Sequence, residues 1–563
     1  MLEEKDLEPS LIEGITSFVI DVDKLDQMGG INMDCLEMIF SNLDCFELMR
    51  IAMTCKRWSY VAYSVIRKQK RLVVNGTLPW LQMVNVVKVL KMTNLSALEI
   101  SLKRDIGWRN FLKFQELLTA RHVLLRDIVK HCPNLKELNG CMLSWKKQDA
   151  APFFTRLPNL THLNLNNNCL TEPILSIIIS NCKSLLFLDI SGNAEITGKC
   201  LVNKSAIYNL THFDLHNCAL TEQVFDAIFS NCRSLKFLDV SNNKEITGEC
   251  LSKNSSNSLK SLHVGFCDEW VLEFKDIHRS CPVLEELTIS TTGCVGISFE
   301  EIFRRDYGRK KLDPEEKDVM SSLKVLHMQS MDADDELYEF RMKGPVHTRT
   351  PNLETLVVTD NCLCCEMFLI NLSKYCPKLK SLDVSGSALV SFYNLFDTNY
   401  FVHILEPLNG LEILAFNSVT DFFPHDITES FARFGGSDLD RCVDIFSSHL
   451  KQLKVLELSE YPDLTNEHVV QLIVNLTELK ELKIQLCPKV DNGLLSQLTD
   501  HPEFDKRKQQ LLLMVNGTEI VPDAAVVPDK IKLDFEWKHR SYKSCFRKLS
   551  LRRPGHSDDD DSD

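Results

Sequence analysis

A phrase of about fifty residues occurs twice in immediate succession. "LTHLNLNNNCLTEPILSIIISNCKSLLFLDISGNAEITGKCL" starts at Leu160, and "LTHFDLHNCALTEQVFDAIFSNCRSLKFLDVSNNKEITGECL" starts at Leu210. Within each copy lies a shorter unit of 25 residues: L-x-x-(L/F)-x-(L/I/V), a polar turn, then an apolar segment. One such unit cannot bury its own apolar face, so neighbouring units must stack. At 563 residues the chain is too long for one ordinary core. Stacking avoids that limit, because the core grows along one axis.

The leucine opening each unit can be followed through Leu135, Leu160, Leu185, Leu210, Leu235, Leu259, Leu284, Leu323, Leu353, Leu379, Leu411, Leu453 and Leu479. Positions three and five after it are apolar, and a period of two puts them on the inward face of a strand. Positions two and four then face the inner wall. Eight residues after the opener stand Asn168, Asn193, Cys218, Asn243, Cys267 and Cys487, side chains able to bond the backbone of the next coil. A helix follows: Thr171 is placed to cap it, Pro173 suits its first turn, and Ile174, Ile178 and Cys182 share one face. The expected fold is an α/β solenoid, a curved array with inner parallel strands and outer helices. The units resemble the cysteine-containing class of leucine-rich repeat over roughly residues 130 to 500. Segments near residues 72, 87 and 98 read as degenerate, capping strands.

Composition bounds the partners. The net charge is -14, with 78 acidic against 64 basic residues, which disfavours nucleic-acid backbone binding. No stretch of 18 apolar residues and no basic-then-apolar leader is seen, so neither a membrane span nor a secretory signal is expected. Of the 21 cysteines, Cys132, Cys182, Cys232, Cys281 and Cys376 each stand three residues before an opener. That period suits small core side chains in a reducing compartment, cytoplasmic or nuclear, better than disulfides. The C-x-x-C at Cys362 to Cys365 has no second pair at zinc-site spacing, so no metal or cofactor is expected. Hydrolase, phosphate-loop and calcium-loop patterns are absent or incomplete, and no enzyme is expected.

Ahead of the array, "INMDCLEMIFSNLDCFELMRIAMTCKRWSYVAYSVI" carries three apolar sets at helical spacing, with joins at Asp44 and near Thr54. Asn32 can cap the first helix, with Asp34 in its first turn. This stretch resembles an F-box. Ile31, Asn32, Met33 and Asp34 stand where the family has leucine, proline, any residue and glutamate; "CLEMIF" matches the apolar run and "CKRW" at Cys55 to Trp58 the closing hallmark. The resemblance implies docking onto the Skp1 adaptor of a cullin-based ubiquitin ligase through Ile31, Leu36, Ile39, Phe40, Leu48 and Trp58. F-box and leucine-rich repeat proteins are non-catalytic substrate receptors, so the repeats are expected to hold a protein substrate. The alternative is an interaction scaffold whose first helices merely cap the solenoid.

The domains expected are an extension (1–27), an F-box-like three-helix domain (28–68), a linker with degenerate or capping repeats (69–134), the array (135–500) with insertions near 296–322 and 417–450, a cap (501–537) and a basic-then-acidic tail (538–563). Position two of successive early strands holds His162, Phe187, His212 and Phe237; position four holds Asn164, Asp189, Asp214 and Asp239. Both columns are expected to face solvent on the concave side as the substrate surface, with the acidic strip favouring a basic segment.

Overall fold

The structure, a computed structural model, describes residues 32–75, 95–101, 125–141, 145–202, 207–265, 267, 277, 279–290, 321–329, 350–359, 372, 376–386, 388–390, 408–417, 420–422, 432–433, 436–521 and 527–536. Of the predicted features, Ile31, the segment near 87, the Cys362–Cys365 pair, residues 296–320 of the first insertion and the tail lie outside them. The chain divides into two compact units, Met1–Leu272 with Asp276–Leu284, and Glu273–Lys275 with Glu285–Asp563.

The first unit opens with three helices, α1 (Met33–Phe40), α2 (Cys45–Ile51) and α3 (Lys56–Lys68). Each start is chemically marked. The Asn32 side chain accepts from the Asp34 amide at 3.4 Å. Asp44 and Glu47 form a reciprocal box, the Glu47 amide donating to Asp44 Oδ1 at 2.8 Å and the Asp44 amide to Glu47 Oε2 at 2.9 Å. Cys55 Sγ accepts from the Trp58 amide at 3.4 Å. Leu36, Phe40, Leu48, Val61, Ala62, Val65 and Ile66 are buried together as the small core.

The chain then enters a parallel ladder: β1 (Arg71–Asn75), β2 (Ala97–Ser101), β3 (Glu137–Cys141), β4 (His162–Asn164), β5 (Phe187–Asp189), β6 (His212–Asp214), β7 (Phe237–Asp239) and β8 (Ser261–His263). Register follows the leucine phase, so that Leu138, Leu163, Leu188, Phe213, Leu238 and Leu262 are successive rungs. All are buried, as are the position-five residues Leu165, Ile190, Leu215 and Val240. Each such side chain contributes about 2 kcal/mol by leaving water.

The position-eight column works as expected but reaches the other way. Asn193 Nδ2 donates to Leu165 O at 3.1 Å, and its Oδ1 accepts from the amides of Asn168 and Leu170 at 3.0 and 2.8 Å. Those partners sit on the preceding coil, not the next. Cys218 copies the donor half, its Sγ lying 3.5 Å from Ile190 O. One residue earlier the backbone is left-handed: Asn167, Gly192, Asn217 and Asn242 have φ of 54°, 71°, 54° and 57°. A Cβ on Gly192 would stand 2.4 Å from Asn167 Oδ1, so that side chain would have to move to admit one; asparagine takes the same left-handed place on the other three coils. The cysteines before each opener are buried. Burial pushes the thiols of Cys182, Cys232 and Cys281 up to about 12, which makes them inert core groups.

Helices alternate in length, which explains the fifty-residue phrase. Ten-residue helices α5 (Glu172–Asn181) and α6 (Glu222–Asn231) follow β4 and β6. A three-residue 3-10 turn at Lys199–Leu201 and a five-residue α7 (Glu249–Lys253) follow β5 and β7. An earlier helix, α4 (Lys147–Thr155), follows β3. Thr171 occupies the N-cap of α5, yet its side chain makes no capping bond. The capping group is the next residue, and it acts on the following coil. The Glu172 carboxylate accepts from the amides of Thr197, Gly198 and Cys200 at 3.1, 3.1 and 2.6 Å. Glu222 does the same for Thr247, Gly248 and Cys250 at 2.9, 3.0 and 2.9 Å.

The second unit continues the motif with β9 (Glu286–Ser290), β10 (Val325–Gln329), β11 (Thr355–Thr359), β12 (Ser381–Asp383), β14 (Ile413–Ala415), β17 (Val455–Glu457), β18 (Glu481–Lys483), β19 (Leu511–Met514) and β20 (Ile531–Asp534), all paired in parallel. β13 (Ala388–Val390), β15 (Thr420–Phe422) and β16 (Ala432–Arg433) form a separate small sheet. Helices α8 (Gly436–His449), α9 (Asn466–Asn475) and α10 (Gly493–Asp500) lie along the later coils. Position one carries alternating charge, with Lys324 2.8 Å from Glu285, Lys380 2.9 Å from Glu354 and Lys454 2.8 Å from Glu412. These solvated pairs add little stability but favour one register.

Two candidate interaction surfaces

The three-helix unit separates its predicted contact residues into core and surface. Leu36, Phe40 and Leu48 are buried. Trp58 is half-buried and meets Phe40 edge-on, with ring centroids 5.8 Å apart. Those four hold the helices together. Ile39 alone of the described set is a surface residue, 51% exposed. Three apolar side chains that the sequence reading did not select are more exposed still: Met38 at 71%, Met53 at 74% and Tyr60 at 67%. A unit this small that leaves four large apolar side chains in water has an unmet burial requirement. The signal was present in the helical phase, since Met38 and Tyr60 fall off the buried stripes of α1 and α3.

The second surface is the wall of β4 to β7. Position two forms one pile of rings. His162 and Phe187 have centroids 5.9 Å apart, Phe187 and His212 4.2 Å, and His212 and Phe237 4.0 Å, the last two pairs being parallel within 10° and 7°. The rungs of a parallel sheet impose this spacing. His162 is exposed; Phe187, His212 and Phe237 are half-buried. The Thr161 hydroxyl lies 3.0 Å from His162 Nδ1 and orients that ring.

Position four departs from expectation. Asn164 and Asp214 are half-buried, but Asp189 and Asp239 are only 7% and 8% exposed, so there is no continuous open acidic strip. Their neighbours one rung away cover them. Asp189 accepts from the Ser191 amide and hydroxyl at 3.0 and 2.7 Å. Burial nevertheless raises its carboxyl above the usual range, against the lowering effect of those bonds. Burial also raises Asp239, but the hydrogen bond and charge of His263, with His216 and Ser241, outweigh it and hold that carboxyl low. Asp239 Oδ2 is 3.4 Å from His263 Nδ1, and His263 Nε2 is 3.1 Å from the Ser261 hydroxyl. This has the order of a hydrolytic relay, yet Ser261 is buried, so the arrangement fixes the imidazole and presents no nucleophile. Burial lowers His216 on the neighbouring position six, partly opposed by Asp239 and Asp189. Among the described residues no group of three His, Cys, Asp or Glu could hold a metal ion, and no helix is long and apolar enough to cross a membrane.

Comparison with known proteins separates the two parts of the chain. The model of the F-box domain matches residues 31–70. No curated protein matches the sequence. Solved structures that align with the chain include a TLR13–ssRNA13 complex, at 16% identity and TM-score 0.32, covering 79% of this chain and 66% of that one. The mouse RP105/MD-1 complex aligns at 14% identity and TM-score 0.36, covering 80% of this chain and 59% of that one. The Rad7 and Elc1 complex in yeast aligns at 13% identity and TM-score 0.30, covering 94% and 98%. The chain thus spans less than two thirds of the first two structures' lengths. Its own rungs, period and asparagine–cysteine column define the array, and residues 31–70 define what precedes it: an F-box domain joined to leucine-rich repeats.

Proposed function

We propose that the protein is the substrate-recognition subunit of a Skp1–cullin–F-box ubiquitin ligase, working in the cytoplasm or nucleus. The observation that carries this reading is the F-box domain with Met38, Ile39, Met53 and Tyr60 left exposed. These apolar side chains supply the contact area that an adaptor would bury, while Leu36, Phe40, Leu48 and Trp58 keep the helices in place for them. The repeats hold a protein substrate, with the wall around His162, Asn164, Phe187, Asp189, His212, Asp214, Phe237 and Asp239 as its docking surface. Such a receptor does no chemistry. It raises the effective concentration of a substrate lysine near a charged thioester.

The test is capture of the Skp1 adaptor and cullin by the full chain. Ile39→Asp combined with Met53→Asp should weaken capture by about a hundredfold, the loss of two interface anchors, with circular dichroism unchanged. A folded double variant that captures adaptor normally would overturn the reading. Leu36→Ala is unsuitable, because that side chain is core and its loss would loosen the helices.

A further inference from the structure

We propose that the wall of the early coils is a docking surface for an extended peptide segment bearing arginine. This deepens the receptor reading and rests on it.

The wall is rich in hydrogen-bond acceptors. Asn139 Oδ1 and Asn166 Oδ1 are buried acceptor atoms with no partner among the described residues. Position four runs Glu99, Asn139, Asn164, Asp189, Asp214, Asp239 across successive rungs, all of them acceptor-bearing. Among the described residues at positions two, four and six of β1 to β8 the cationic groups and imidazoles are Arg71, His162, His212, His216 and His263, with Lys136, Lys236 and Lys260 beside them at position one. Arg71 is already bound to Glu99 at 2.9 Å and Glu137 at 3.8 Å, and His263 to Asp239. Asp189 and Asp239 are buried; Asp214, which accepts from the His216 amide at 3.0 Å, is half-buried and is the more accessible carboxylate of the three.

The ring pile favours arginine over lysine. Its exposed end is His162, whose next neighbour across the ladder is the exposed Glu137. One ring face therefore opens beside a carboxylate that Arg71 approaches only to 3.8 Å. A planar guanidinium can stack on the imidazole and bond Glu137 at the same time, which a compact ammonium cannot do. The pile is rigid, since its rings are stacked in the free chain, so little ordering opposes binding. With a net charge of -14, a cationic partner is also drawn by the whole protein.

The probe is a fluorescein-labelled ten-residue peptide of alternating arginine and serine, titrated against the full chain by anisotropy. Peptides with lysine, citrulline or glutamate in place of arginine serve as comparisons. Binding should follow arginine, then lysine, with none for citrulline or glutamate, and should weaken steeply with salt. Glu137→Gln and Asp214→Asn should each weaken the arginine peptide about tenfold, the effect of one charged hydrogen bond, and should leave adaptor capture intact. Equal binding of the citrulline peptide, or unchanged affinity in the double variant, would overturn the proposal. Intact adaptor capture without arginine binding refutes this inference alone. Arginine binding without adaptor capture refutes the receptor reading and leaves the docking surface standing.

Discussion

The amide of Asn193 is bonded on both of its ends. Its Oδ1 serves two amides of the preceding coil, and its Nδ2 donates to Leu165 O at 3.1 Å and Ile190 O at 2.7 Å. Asn193→Ala should lower stability by about 3 kcal/mol, because buried amides and carbonyls would be left unpaired. Asn193→Cys should cost less, since Cys218 shows a thiol taking the donor half of the role. Urea unfolding midpoints of the two variants check that order. His216 predicts a pH effect. Burial keeps its folded pKa below the ordinary 6.5, so the unfolded chain binds the proton first. The stability it contributes is full above pH 6.5 and is lost as pH falls through the lower folded value. Asp239, also held low, loses its contribution at still more acid pH; Asp189, held high, acts in the opposite sense. Serine fills this position on the neighbouring coils as Ser191 and Ser241, so His216→Ser should fold. It should flatten the fall in melting temperature from about pH 7 to about pH 5. The columns were legible residue by residue from the 25-residue phase. The burial of Asp189 and Asp239 was not, because phase gives the direction of a side chain but not what covers it.

Helix ends carry the next level of information. The sequence pointed to Thr171 as the cap of its own helix, but Glu172 caps the helical turn of the following coil through three backbone amides. A carboxylate facing three amides at a helix start is favoured both by hydrogen bonding and by the helix dipole. Glu172→Ala should cost about 2 kcal/mol, and Glu172→Gln a fraction of that, read as shifts in thermal midpoint. Gly198 belongs to the same device. It has φ of +74°, and a Cβ would stand 2.6 Å from Val224 Cγ1. The equivalent device in the second unit uses a cation at the other end of a helix. Buried Arg507 donates to the carbonyls of Ile473, Leu476 and Leu479, closing the C-terminal end of α9 and the turn after it. None of this was visible as a motif, because each partner is supplied from another coil about 25 to 34 residues away. The strands were visible. Every opener from Leu135 to Leu479 is followed two residues later by a parallel strand. β19 and β20 extend the ladder past residue 500, where the leucine phase had given way to "LLLMVNG" and "KIKLDF".

Across the whole molecule, the sequence made the order of parts readable: a short three-helix domain, then a repeat array. Phase marked Met38 and Tyr60 as lying off the core stripes of the first domain, but not that Ile39, which it set among the apolar contacts, stays exposed. The fifty-residue phrase has a further consequence. The Glu172 and Glu222 carboxylates both reach from a coil with a ten-residue helix to one with a short helix. From β4 to β7 the first unit is therefore periodic in pairs of coils, like a lattice with a two-site cell; the β3 coil, with its nine-residue α4, stands outside that pattern. Excising residues 185–209 sets two long-helix coils against each other and leaves Glu172 facing no glycine turn. Excising residues 160–209 removes one whole cell, so Asn159 runs into Leu210 with the same register and cap chemistry. The pairwise deletion should fold and melt cooperatively, while the single-coil deletion should melt early or aggregate, as calorimetry and light scattering would record. By the same reasoning, gain or loss of length between β4 and β7 keeps every glutamate cap matched to its turn only when it comes in pairs of coils.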